Sequence, residues 1–152
     1  MSRRWDGDDV REPGPEASGH RSLPHTADVR IEAWGRSREE CLIEALCGLV
    51  ESFADVSGVR ATTVEYLRLP EGSHEDLLVD LLNEVIARLD VDGLVPVDAE
   101  AEVVDGGVGV RLAMADVAAV SIIAATPKAV SLHQLRFAPG PRGWACCLIV
   151  DV

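Results

Sequence analysis

Residues 28–53 read DVRIEAWGRSREECLIEALCGLVESF, and the hydrophobic period changes partway along them. In the first part Val29, Ile31 and Ala33 alternate with Arg30 and Glu32, the period of two that marks a half-buried strand. Gly35 closes that pattern. Ser37-Arg38-Glu39-Glu40 then has the form of a capping box: Ser37 can accept from a first-turn amide, and Glu40 can reach back to the cap. From there Leu42, Leu46, Leu49 and Phe53 recur at helical spacing, with Glu44 and Glu51 off the stripe. A strand running straight into an amphipathic helix is the unit from which the fold is read.

Working outward, residues 61–69 (ATTVEYLRL) predict a second strand that ends at Pro70-Glu71-Gly72. Ser73 is the expected cap of a second helix, whose apolar face comprises Leu77, Leu78, Leu81, Leu82, Val85, Ile86 and Leu89. Asp80, Asn83, Glu84 and Arg88 occupy its other side, and Asp92-Gly93 stops it. Residues 96–104 and 108–114 alternate around Asp105-Gly106-Gly107, which predicts a hairpin. Residues 115–125 are apolar without a clear period. Residues 128–137 and 144–152 read as strands joined by a turn at 139–143. The expected class is α+β: a single antiparallel or mixed sheet, two amphipathic helices packed on it and a small inserted β-hairpin subdomain. Residues 1–21 mix charge with Gly and Pro and are expected to form a disordered extension, leaving residues 22–152 as the domain.

With 26 acidic against 14 basic residues, the formal charge of this 152-residue chain is -12. Such a field repels phosphate backbones, so stable direct binding to nucleic acid is not expected, and a cation or a basic protein surface is the natural partner. The N-terminal MSRRWDGDDV is too polar for a signal peptide, and the apolar run at 117–125 is too short for a membrane span. A cytoplasmic protein without a membrane association is expected. Cys41 and Cys47 share a helical segment, while Cys146 and Cys147 are adjacent in a strand; neither pair has zinc-ligand spacing. Reduced, packed thiols follow.

The polar cluster His25-Thr26-Ala27-Asp28 stands at the entrance of the first strand. Asp28 can be a turn residue there, or a hard oxygen ligand beside other carboxylates. Asp151 can be a solvated residue near the chain end, or a second ligand anchored by the apolar run 146–150. That anchoring would also fix the α-carboxylate of Val152, and such a set suits Ca²⁺ or Mg²⁺. Lys128, before the strand 129–133, is a solvated lysine or a partner for these carboxylates or for an anion on another molecule. No nucleophile elbow, HExxH or phosphate-cradling loop is present, and Gly106-Gly107-Val108-Gly109 belongs to a hairpin with no helix after it. An autonomous metal-dependent hydrolase, a phosphodiesterase or phosphatase, would need a general base, for which His25 is the candidate.

Four blocks together resemble the archease family: HTADVRIEAWG with the SREE helix, LLVDLLNEVIARLDVDGL, PKAVSLH and the terminal LIVDV. Their order and spacing cover residues 23–152. The family pattern at the third block is closer to KAVTYH, so Ser131 and Leu132 depart from it; Val152 stands where isoleucine is common, and residues 105–125 match poorly. The resemblance implies an accessory protein with no catalytic residues of its own. Its implied role is to activate an RtcB-type, GTP-dependent RNA ligase of tRNA splicing and RNA repair, promoting guanylylation and multiple turnover. It further implies a divalent-cation site (Ca²⁺ or Mg²⁺) at Asp28, Asp151 and Val152, with Lys128 contacting the partner. His25 and Thr26 would shape the turn that presents Asp28. A chaperone or adaptor for RNA-modifying enzymes is the remaining alternative.

Overall fold

The computed structural model describes residues 18–25 and 28–152. Thr26 and the side chain of His25 lie outside the described residues, as do residues 1–17 of the expected extension. The elements in chain order begin with β1 (Gly19–His25), β2 (Asp28–Gly35), α1 (Arg38–Glu51), β3 (Ala54–Asp55), β4 (Thr63–Pro70) and α2 (His74–Ala87). β5 (Leu94–Val104), β6 (Gly107–Asp116), β7 (Ser121–Ile122), β8 (Ala129–Gly140) and β9 (Gly143–Asp151) follow.

The first strand starts earlier than the expected domain boundary at residue 22. Gly19, His20 and Arg21 pair with Trp34, Ala33 and Glu32 of β2. Polar letters hid this strand, because its polar side chains are satisfied by the fold instead of by water. The His20 ring bridges two carboxylates of α1, Nδ1 to Glu44 and Nε2 to Glu51, each at 2.7 Å. Arg21 Nε donates to Glu32 at 2.6 Å. Gly19 leaves room for the buried Trp34 ring, since a Cβ there would sit 2.7 Å from Cζ2.

Both helices are capped as their sequences predict. The Ser37 hydroxyl accepts from Glu40 N–H at 3.0 Å, while Glu40 reaches past the cap to accept from Arg36 N–H at 2.9 Å. Ser73 accepts from Asp76 N–H at 3.0 Å. The stripe of α2 is buried at Leu77, Leu78, Leu81, Leu82, Val85 and Ile86, and Leu89 is partly covered. One π-helical turn (Arg88–Asp92) extends it to Gly93, whose φ of 64° is the left-handed conformation glycine adopts without steric cost.

The strands divide into an antiparallel four-stranded sheet, β1-β2-β9-β8, a three-stranded sheet, β4-β6-β5, and the short pair β3-β7. α1 lies against β1 and β2 on one side and β5 on the other, and α2 against β8 and β4, so the helices form a layer between the two larger sheets. The α+β class and the two helices are as expected. The strands do not form the single sheet expected: the hairpin of β5 and β6, read as a small inserted subdomain, joins β4 in a second sheet, and Val108, Val110, Leu112 and Met114 of β6 close the core from that side. Of residues 115–125, unassigned by pattern, the first two end β6, and a 3₁₀ turn (Val117–Ala119) and β7 follow.

Candidate functional site

The four-stranded sheet turns one face to the helices and the other outward. Ile31 and Ala33 of β2 and Cys146, Leu148 and Val150 of β9 are buried on the inner face. The alternating residues of both strands therefore share the outer face. The register then decides the site. Asp28 is paired directly with Asp151, and Ala129 of β8 pairs with Asp151 from the other side. The backbone N–H of Lys128 donates to the Asp151 carbonyl at 2.7 Å. Directly opposed cross-strand residues have Cβ atoms about 4.5–5.5 Å apart, so two carboxylates stand side by side with the lysine at the next strand end. Asp28 is half-buried; Asp151 and Lys128 are exposed, and Val152 follows half-buried. The structure thus brings together all four residues selected from the sequence, at one corner of one sheet. His25 also faces Asp28 in the backbone register of β1 and β2.

Facing like charges are unfavourable unless something positive offsets them. Two oxygen ligands on one face fit the hard-cation chemistry of Ca²⁺ or Mg²⁺, which take six or more oxygens. Among the described residues no three His, Cys, Asp or Glu side chains gather to hold a metal ion. A cation here would therefore complete its shell with main-chain or terminal oxygens and water, beyond the two aspartates.

One row further in, the outer face carries a group that the alternation did not single out. Glu32 is 1% exposed and lies between Arg21 (2.6 Å) and Arg30 (3.4 Å). Arg30 Nε also donates to Cys147 Sγ at 3.2 Å. The period of two placed Arg30 and Glu32 correctly on the outer face but gave no sign of burial, because the covering Arg21 belongs to a strand masked by polar residues. Elsewhere the thiols are packed. Burial pushes Cys47 up to about 12, and a hydrogen bond with Cys146 together with burial raises Cys41, whose Sγ donates to the Ala33 carbonyl at 3.6 Å. The two carboxylates of α1, Glu44 first, raise His20 against the opposing effect of burial.

No helix among the described residues is long and apolar enough to cross a membrane. Residues 20–152 match the sequence profile described as the archease protein family (MTH1598/TM1083). The chain is 48% identical over 136 residues to a probable protein archease of Mycobacterium tuberculosis, covering 90% of this chain and 76% of that one. It is 26% identical over 136 residues to a protein archease of Archaeoglobus fulgidus, covering 88% and 98%. Its fold is similar to the solution structure of a Methanobacterium thermoautotrophicum protein, with a TM-score of 0.64 at 20% identity over 88% of this chain and 99% of that one. A crystal structure from Thermotoga maritima, described as an archease and possible chaperone, gives 0.62 at 22% identity over 95% and 98%. With a family profile spanning all but the first residues and a relative of near-half identity, this chain belongs to the archease family.

Proposed function

We propose that this protein is an accessory factor that activates an RtcB-type RNA ligase, promoting its guanylylation and repeated turnover. The observation that supports this most is the direct pairing of Asp28 with Asp151, with Lys128 held against Asp151 by its backbone. Asp28, Asp151 and the Val152 carboxylate hold a divalent cation in this reading. When bound, that cation neutralises the corner and contributes positive charge where an anionic nucleotide is handled. The side chains have their own tasks. The aspartates set the position of the charge at a rigid sheet end, and Lys128, exposed beside them, reaches towards the partner's anionic group. The net charge of -12 argues against this chain gripping RNA by itself, which leaves RNA binding to the partner.

Purified ligase alone should join fewer RNA ends than there are enzyme molecules, and many more when this chain is added. Asp28→Ala and Asp151→Ala should abolish that gain. Full stimulation by both variants would refute the role of the corner. The Thermotoga neighbour's description as a possible chaperone favours a second reading, protection of client proteins in general. That reading predicts suppressed aggregation of unrelated proteins with no dependence on Asp28.

A further inference from the structure

Charge is distributed very unevenly along this chain. Residues 117–150 contain no Asp or Glu, although the chain has 26 acidic residues, and they contain its only lysine, Lys128, together with Arg136 and Arg142. This acid-free segment builds β7, β8 and β9, and Asp151, the next residue after it, enters the carboxylate corner.

Within the segment β8 does not remain a plain edge strand. Its pairing with β9 jumps from Ser131↔Ile149 to Arg136↔Cys147, so residues 132–135 arch out opposite Leu148 alone. Gln134, at φ 61°, is the one non-glycine residue with positive φ among the described residues. A left-handed conformation without a glycine is strained, and such strain persists only where surrounding structure enforces it. Here the enforcement is visible on both sides of the arch. Ser131 Oγ accepts from His133 N–H at 3.1 Å, while Leu135 and Phe137 tuck into the core. The consequence is that Leu132 is driven outward and left 72% exposed. Ile122 and Ile123, 47% and 61% exposed, lie upstream of Lys128 in the same segment. Three of the large apolar side chains exposed among the described residues thus flank Lys128 along the chain, within this acid-free segment.

We propose that the 132–134 arch is the docking element of this protein: Leu132 seats in an apolar cleft of a protein partner, and Lys128 and Arg136 face phosphate groups held in that cleft. The charge pattern selects this occupant. The chain as a whole carries a charge of -12 and repels phosphate, and the repulsion is weakest along the acid-free segment that holds Lys128, Arg136 and Arg142. The apolar anchors need a cleft, which a protein supplies and an extended nucleic-acid backbone does not. This rests on the ligase reading above, in which the partner's cleft is its nucleotide site and the arch begins about three strand residues from the Asp28/Asp151 pair.

The test measures binding of the fluorescently labelled chain to purified ligase by anisotropy, together with ligation turnover at increasing concentrations of the chain. Leu132→Asp should weaken binding by about tenfold or more, and its loss of stimulation should be recovered at high concentration. Tyr66→Asp, equally drastic on the exposed outer face of β4, should bind as the unaltered chain does. Thermal melts of both variants check folding. If Leu132→Asp binds normally while the unaltered chain stimulates, the docking arch is wrong and the ligase reading stands. Equal damage by Tyr66→Asp also overturns the arch. If the unaltered chain neither binds nor stimulates the ligase, both readings fall together.

Discussion

Exchanging Asp28 for asparagine removes one of two carboxylates that face each other across β2 and β9, so the folded state loses a repulsion while keeping its shape. Without divalent cations, Asp28→Asn should therefore be more stable than the unaltered chain, by about 0.2–1 kcal/mol in chemical unfolding. On the proposed cation site, adding Ca²⁺ should raise the melting temperature of the unaltered chain and leave the variant nearly unmoved. His20 offers a second residue-scale test. Glu44 and Glu51 raise it above the ordinary 6.5, so the folded chain holds its proton more tightly than the unfolded one. The stabilisation is then complete below about pH 6.5 and is lost as pH rises through the higher folded value. The stability difference between the unaltered chain and His20→Gln should accordingly shrink on titrating from about pH 6 to about pH 8.5, followed by urea unfolding. A constant difference would assign His20 a packing role only. The residue types and motif of the corner were legible in the sequence, down to Asp28, Asp151, Val152 and Lys128. The pairing that gives two aspartates a joint meaning was not, since register links residues more than a hundred positions apart. His20 was illegible for a different reason: its carboxylate partners lie on a helix, and no strand-level pattern mentions them.

The helices were the most legible elements because everything that specifies them is local. Ser37 and Ser73 cap where the pattern places them, and the leucine stripe of α2 is buried as its period requires. Leu81→Ala, at a fully buried position of α2 between the sheets, should cost about 2–5 kcal/mol in urea unfolding. Ser73→Ala should cost about 1 kcal/mol, since it orphans one first-turn amide that water can still reach. A loss for Leu81→Ala no larger than that of the cap would contradict its place in the core. Six longer strands were legible one at a time, while β1, β3 and β7 and the partition into sheets were not. β4 joins β6 and β5, and β9 inserts between β2 and β8, through pairings that alternation alone does not encode. The tight return from β8 to β9 shows how local signals still help: at Gly143, with φ 130°, a side chain would collide with the Gly35 carbonyl, so glycine is required where the turn passes the end of β2.

At the scale of the molecule, the layered core carries one sheet corner where Asp28 and Asp151 face each other next to Lys128. β1, β2, β9 and β8 all contribute to it, so its geometry depends on the whole four-stranded sheet and not on any one loop. The arch of β8 leaves Leu132 exposed near the same corner, and in the proposed reading it seats the partner while the carboxylates act. Archease family membership covers residues 20–152, the same span over which sheet, helices and corner form one unit. The central claim is that this corner makes an RNA ligase turn over repeatedly. The most direct measurement is RNA joined per ligase molecule, with GTP and divalent cation present, against increasing amounts of the unaltered chain or of Asp28→Ala. The unaltered chain should carry the ligase from less than one turnover to many, and Asp28→Ala should fail at every concentration. Equal stimulation by the two, or no stimulation by either, would contradict the account.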